Sequence, residues 1–143
     1  MVHALVSLFC KREDITFREF KDALENEFVP LLEKITGPLF PLTYSRRYIA
    51  HEGNDRERAR SGPLGIPALI VGRAESISWD ALVEATFEDD LHLQQFMAFI
   101  NESEAADQLL DCEARFSDSS KLRIIVMENN VSVSKTRGLK TWQ

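Results

Sequence analysis

The predicted strand from Thr43 to His51 carries side chains suited to proton transfer and oxygen binding. Alternate side chains of an extended segment share a face, so Tyr44, Arg46 and Tyr48 are expected to point the same way. A phenol can donate a proton to a developing enolate or anchor a polyphenol, and a guanidinium fork can hold an oxyanion. A half-buried structural tyrosine and a solvated or paired arginine are the alternatives. Tyr44 is therefore a candidate catalytic residue, and Arg46 and Tyr48 are candidates for substrate binding.

Two carboxylates follow in a second segment, Trp79 to Phe87, whose pattern fits either a helix or a strand. If the segment is extended, Asp80 and Glu84 share one face. Two carboxylates in a partly apolar pocket can have separated pKa values, which provides one acid and one base. Pairing with nearby arginines is the alternative. Glu84, flanked by Val83 and Ala85, is the stronger catalytic candidate, and Asp80 is a candidate for substrate binding.

One histidine and three aromatic residues complete the candidate set. His51 ends the predicted strand where a loop begins, so it is a candidate general base at a pocket mouth, or an exposed histidine without a role. Phe9, Phe28 and Trp79 are candidates for an aromatic wall around a planar ligand. Ordinary core packing explains the same three residues.

Sequence fingerprints of bound cofactors are missing from the chain. It has no glycine-rich phosphate loop and no flavin or nicotinamide motif. Its histidines, His3, His51 and His92, are not at metal-ligand spacing, and Cys10 and Cys112 form no CxxC pair. We therefore expect no cofactor and no structural zinc, and two free, mostly buried thiols.

Composition and charge favour a single globular domain. The 143 residues carry a net charge of −6, and no apolar run approaches the about 20 residues needed to span a bilayer. Eleven acidic residues and no basic residue lie between Arg73 and Arg115, which argues against nucleic acid, and a solvated acidic face explains most of them. Lys11 and Arg12 follow the first apolar run instead of preceding it, the reverse of a secretory signal. We expect a cytoplasmic protein that binds neither nucleic acid nor membranes.

Hydrophobic periodicity predicts the order strand, helix, strand, uncertain element, two helices, strand. Thr16 and Glu19 form a capping-box pattern that begins the first helix, Pro30 should kink or divide it, and Gly37 with Pro38 ends it. If the uncertain element is a strand, the order is βαββαβ, the arrangement of ferredoxin-like folds. The predicted strands cover 2–10, 43–51 and 121–127, with an additional edge strand within 66–71 beginning at Pro67, the later helices 91–101 and 103–112, and a loop 52–65.

The chain resembles EthD-domain proteins of the dimeric α+β barrel superfamily, of the type found beside fungal polyketide pathways. The resemblance runs from about Val2 to Glu128, in the segments LFCKREDITFREFKDALENEFVPLL, GPLFPLTYSRRYI, WDALVEATFEDD and LLDCEARFSDSSKLRIIV. It implies that 79–87 is the third strand of a four-stranded antiparallel sheet, and that two such sheets pair into a barrel in a homodimer. Members typically carry a histidine where this chain has Phe28, and fungal relatives often carry one where it has Tyr44.

The resemblance implies a cofactor-independent tailoring enzyme of secondary, polyketide-type metabolism. Such an enzyme would dehydrate, cyclise or isomerise a reactive aromatic or quinone-like intermediate by acid-base catalysis. The alternatives are a cofactor-free oxygenase acting on an anthrone-type substrate and a non-catalytic carrier of a hydrophobic intermediate. We expect the EthD-like domain to cover 1–128 and a C-terminal tail to cover 129–143.

Overall fold

The computed structural model describes residues 3–51, 67–128 and 130–135. Four strands form one antiparallel sheet in the order β2-β3-β1-β4. Together with the helices between them, they give the βαββαβ topology of a ferredoxin-like α+β fold, as predicted. The elements are β1 (His3–Phe9), α1 (Phe17–Ala23), α2 (Val29–Thr36), β2 (Thr43–Tyr48), β3 (Ala81–Phe87), α3 (Asp90–Ile100), α4 (Ser103–Ala114) and β4 (Arg123–Met127).

The first helical segment has the capping box and the interruption that its sequence predicts. The Glu19 N–H donates to Thr16 Oγ1 at 3.1 Å, and the Thr16 N–H donates to Glu19 Oε1 at 2.8 Å. A π-helical turn, Leu24–Phe28, separates α1 from α2 and ends two residues before Pro30. Because proline lacks an N–H and its ring crowds the preceding turn, a wider turn at this point relieves the clash.

The two faces of the sheet have different surroundings. One face packs against the helices and holds the core, as the alternation of β3 shows: Ala81, Val83, Ala85 and Phe87 are buried. The intervening Glu84 is exposed on the opposite face, which we call the open face. The phenylalanine-rich core also includes Phe9, Phe20, Phe28, Phe96 and Phe116.

Two predicted strand boundaries were wrong. Pro67 forms only an isolated bridge with His51, and Ile70 and Val71 are 100% and 87% exposed, so no edge strand covers 67–71. Strand β2 ends at Tyr48, three residues before His51. An apolar run forms a strand only where a neighbouring strand pairs with its backbone N–H and C=O groups. Here a single bridge is formed.

Other predicted elements differ from the observed ones at their ends or lie outside the described residues. Trp79 lies before β3, and a 3₁₀ turn, Ser119–Lys121, replaces the first residues of the predicted last strand. The predicted loop 52–65, Ile66 and most of the C-terminal tail lie outside the described residues, although 130–135 is described and exposed. Among the described helices, none is long and apolar enough to cross a membrane.

Candidate functional site

A cavity of about 240 Å³ lies between the helix-covered face of the sheet and helices α2, α3 and α4. We call it the inner cavity. Most of its lining is apolar and includes two predicted aromatic residues, Phe9 and Phe28, whose rings meet edge to face at 5.9 Å. Its few polar side chains are Ser7, Tyr44, Asn101 and Glu113. An apolar enclosure with a small number of polar groups is the usual form of a small-molecule site.

Tyr44 reaches the inner cavity because the pleat of β2 turns every second side chain toward the helices. Its ring packs on Phe40 at 5.7 Å between ring centroids, and Arg46 Cζ lies 5.9 Å from the ring. Burial raises the pKa of the Tyr44 phenol well above its usual range; the Arg46 charge opposes that rise and the Glu113 charge adds to it. The phenol therefore stays protonated at neutral pH and can donate a hydrogen bond to a ligand oxygen.

Glu113 is the one strongly buried carboxylate in the described lining of this cavity. Its residue is 7% exposed, and Oε1 has no hydrogen-bond partner among the described residues. Burial raises the pKa of its carboxyl group. Burying a carboxylate whose oxygen has no hydrogen-bond partner is energetically costly, which makes Glu113 a candidate for ligand binding or proton transfer.

Glu113 is not among the predicted site residues, because it belongs to the run of acidic residues that the sequence analysis assigned to a solvated face. A signal was present in the spacing of α4. The buried positions Ala105, Leu109 and Cys112 mark an apolar stripe, which continues to Phe116 beyond the helix end, and Glu113 falls within it. A charged residue on an apolar stripe is a better functional indicator than one among solvated charges.

The other two predicted residues of β2 form a paired network with Glu25 of the π-helical turn. Arg46 donates to Glu25 from Nη2 at 2.7 Å and from Nε at 2.9 Å. The Tyr48 hydroxyl donates to the same carboxylate at 2.5 Å, and Arg46 Nη1 also donates to the Tyr44 carbonyl. The Arg46 hydrogen bond holds the pKa of Glu25 below its usual range, with help from Tyr48, while burial opposes this effect. The donor fork of Arg46 is thus occupied by protein, and binding of a substrate oxyanion by Arg46 stays a prediction.

Three predicted residues line a second cavity, the outer cleft, which has a volume of about 510 Å³. They are Tyr48, His51 and Asp80, beside the α1 residues Phe17 and Phe20. The His51 ring is buried and packs against the Phe17 ring, with the ring centroids 3.5 Å apart and the ring planes tilted by 34°. These contacts explain where His51 sits without testing its predicted role as a base.

Asp80 is held by the backbone of the segment that directly follows β1. Its Oδ2 accepts the Lys11 N–H at 2.7 Å, and burial raises the pKa of its carboxyl group while the Lys11 hydrogen bond opposes the rise. Glu84, the other carboxylate of the predicted pair, lies on the open face opposite Ser45 and Val6 of the neighbouring strands. The structure therefore places Asp80 at the outer cleft and Glu84 away from both cavities. The half-buried Trp79 lines neither cavity.

The two cysteines are core residues, and the described side chains form no cluster of metal ligands. Within 3–51, 67–128 and 130–135, no three His, Cys, Asp or Glu side chains converge as metal ligands. Cys10 and Cys112 are buried and free, as predicted, and Cys10 Sγ donates to the Ser78 carbonyl at 2.7 Å. Burial raises the pKa of the Cys10 thiol, so it is a poor nucleophile at neutral pH.

The fold and the inner cavity together define a class: a ferredoxin-like α+β protein with a largely apolar cavity between sheet and helices. The family model of the EthD domain matches residues 12–120, so the chain belongs to the EthD family. This finding agrees with the resemblance in the sequence. No curated protein matches the chain.

Solved structures support the same fold. An EthD family protein from Bacillus halodurans is 18% identical with a TM-score of 0.55, covering 91% of this chain and 100% of that chain. HapK from Hahella chejuensis is 9% identical with a TM-score of 0.54, covering 94% and 98%. A dimeric ferredoxin-like protein of unknown function from Bacteroides fragilis is 11% identical with a TM-score of 0.51, covering 90% and 96%. At these identities the likeness concerns the fold alone.

Proposed function

We propose that this protein is a tailoring enzyme of secondary, polyketide-type metabolism that dehydrates, cyclises or isomerises a reactive aromatic or quinone-like intermediate. The observation that carries the proposal is the pair of polar groups in the inner cavity. A phenol that stays protonated and a buried carboxyl group of raised pKa meet in a largely apolar enclosure. These groups supply a hydrogen-bond donor and a proton carrier, which suffices for acid-base catalysis on a carbonyl compound.

The cavity also limits the ligand. A volume of about 240 Å³ is smaller than the about 300–1,000 Å³ typical of sites for drug-sized molecules. Phe9 and Phe28 offer their rings to a flat apolar ligand. We therefore propose a compact substrate of one or two fused rings, which the shape of the cavity holds in a reactive conformation.

A homodimer is part of the proposal. The open face carries Leu82 and Val6, which are half-buried in the isolated protomer, and Ile125 and Met127 of β4, each 43% exposed. Face-to-face pairing of two such sheets would cover these side chains, as the resemblance to dimeric α+β barrels implies. Sedimentation at micromolar concentration should give the mass of two chains, and a single-chain mass would remove the dimer from the proposal.

The function is tested by a metabolite profile of the native host with the gene deleted, complemented by the wild-type gene as a control. Loss of one product and accumulation of one intermediate would identify substrate and product. A product lighter by one water supports dehydration, and an unchanged mass supports cyclisation or isomerisation. A product that has gained oxygen would replace this proposal with the anthrone-type oxygenase, and an unchanged profile would favour the carrier.

A further inference from the structure

We propose that Glu113 is the general base of the inner cavity, removing a proton from a carbon atom next to the carbonyl group of a neutral ring ligand while Tyr44 hydrogen-bonds the carbonyl oxygen. The inference rests on the proposed function and deepens it, because it names the proton-transfer residue and the ligand class. Neither residue type nor position alone suggests this role. The burial of Glu113, the missing hydrogen-bond partner of its Oε1 atom and the shape of the cavity support the role.

The carboxyl group of Glu113 is built into the cavity wall. Glu113 follows Cys112 on the buried, apolar stripe of α4, so its side chain lies in the interior of the molecule. The residue is 7% exposed, yet Oε1 accepts no hydrogen bond from any described residue. A ligand in the cavity can supply the missing contact.

The groups that face Glu113 leave it without a neutralising charge. From the sheet, Tyr44 of β2 and Ser7 of β1 line the cavity, and Asn101 follows α3. The guanidinium beside Tyr44, that of Arg46, is bound by Glu25 at 2.7 Å. Burial is accordingly the cause of the raised pKa of Glu113, which makes its carboxylate a stronger base than a solvated glutamate.

The reaction step conserves atoms and charge. Glu113 takes the proton as the carbon–hydrogen bond breaks, and the electron pair moves to the carbonyl oxygen, which becomes an enolate. The Tyr44 hydroxyl donates a hydrogen bond to that oxygen and keeps its own proton, because its pKa is raised by burial. Glu113 then returns the proton to the same or another carbon atom. Enolisation of this kind is shared by dehydration, cyclisation and isomerisation of hydroxyketones.

The ligand class follows from the lining and from the mouth of the cavity. Leu110 and Ile124 line the cavity and are 55% and 54% exposed, so the opening between α4 and β4 is apolar. An anionic ligand would lose its hydration there and meet the Glu113 charge without a cation to offset either cost. The site is therefore suited to a neutral, compact ring ketone.

The test uses β-tetralone, a neutral two-ring ketone, as the probe. In deuterated buffer, NMR follows exchange of the protons on the carbon next to its carbonyl, and ligand-observed saturation transfer measures its binding. The wild-type protein is expected to bind the probe and to accelerate exchange above the buffer rate. Glu113→Gln should lower the enzyme-dependent rate by about 10²–10⁴-fold, the usual contribution of a general base. Glu113→Asp should recover part of the rate.

Two controls separate catalysis from structure. Glu104→Gln makes the same change at an exposed position of the same helix and should exchange at the wild-type rate. Ala106→Phe, which fills part of the cavity lining, should abolish both binding and exchange. The wild-type rate should rise with pH through a pKa above that of an ordinary glutamate, a profile that a purely structural Glu113 would not produce.

Three results would overturn the inference: no binding of β-tetralone, binding without exchange, or full exchange in a folded Glu113→Gln variant. Each leaves the metabolite test of the proposed function unaffected. Conversely, Glu113-dependent exchange together with an unchanged metabolite profile would support the inference and contradict the proposed function.

Discussion

Two clusters of polar side chains lie on the helix-covered face of the sheet, and they differ in whether their charges are paired. In the paired network, Glu25 accepts hydrogen bonds from Arg46 and Tyr48, and the pKa of its carboxyl group is lowered. In the inner cavity, Glu113 has an oxygen without a partner, and its pKa is raised. Both carboxylates lie near strand β2. Their hydrogen-bond partners, and not their position, therefore distinguish an expected structural role for Glu25 from an expected chemical role for Glu113.

The difference has a simple origin in the side chains that each helical segment presents to β2. The π-helical turn brings Glu25 to two donors, Arg46 and Tyr48, and their hydrogen bonds replace the water that burial removes. Helix α4 brings Glu113 to Tyr44 and to apolar side chains. The paired network is expected to contribute stability, and the unpaired carboxylate is expected to contribute reactivity.

After the loss of the base in Glu113→Gln, the largest expected effect concerns the hydrogen-bond donor of the inner cavity. Tyr44→Phe keeps the ring that packs on Phe40 but removes the hydroxyl that would stabilise the enolate. Loss of one such donor should slow enzyme-dependent exchange of β-tetralone by about 10²–10³-fold. Exchange at the wild-type rate in this variant would contradict the role of Tyr44, provided that thermal unfolding shows the variant to be folded.

The second effect is on stability and concerns the paired network. Glu25→Gln removes the charge that Arg46 and Tyr48 bind, and the Arg46 and Glu25 side chains are only 25% and 28% exposed. Hydrogen bonds to charged groups contribute about 1.5–3 kcal/mol, so the free energy of unfolding should fall by about that amount. Equilibrium unfolding in urea measures it.

A matched control lies two residues further along the same π-helical turn. Glu27 pairs with Arg115 at 3.6 Å, but both side chains are more than half exposed. Exposed ion pairs contribute little to stability, so Glu27→Gln should cost less than Glu25→Gln. Equal costs for the two variants would mean that the Glu25 network is no more stabilising than a surface pair.

A third and smaller effect is the pH dependence of stability, which should have opposite signs in the two clusters. The lowered pKa of Glu25 contributes stability that is present above its unfolded-state pKa and is lost as the pH falls through its folded-state pKa. The raised pKa of Glu113 contributes stability that is present below its unfolded-state pKa and is lost as the pH rises through its folded-state pKa. Urea unfolding at a series of acidic pH values should therefore show that the free energy of unfolding of Glu113→Gln increases relative to that of the wild type as the pH rises. A constant difference would contradict the burial of Glu113.

Much of the fold could be predicted from the sequence because it depends on local patterns. The capping box at Thr16, the interruption at Pro30 and the alternation along β2 are written in adjacent residues. The edge strand predicted within 66–71 was wrong because the described part, 67–71, pairs only through the single bridge between Pro67 and His51. Pairing is a tertiary property that an apolar run does not encode.

The candidate site could be predicted only in part, for a related reason. Alternation predicts that Tyr44, Arg46 and Tyr48 share a face, but it does not reveal which carboxylates of other elements meet them. Glu84 was favoured for its apolar neighbours, and in a strand those neighbours point to the opposite face. Glu113, on the stripe of a distant helix, is brought to Tyr44 only by the packing of α4 on the sheet.

The most direct test of this account is an NMR titration of the side-chain carboxyl carbons of ¹³C-labelled glutamate, with Glu113→Gln and Glu25→Gln used to assign the two signals. We expect the pKa of Glu113 to lie above that of an unperturbed glutamate, which is about 4.3, and the pKa of Glu25 to lie below it. A Glu113 pKa at or below that reference value would mean that its carboxylate is solvated or paired. That result would contradict the central claim that the inner cavity holds an unpaired, reactive acid.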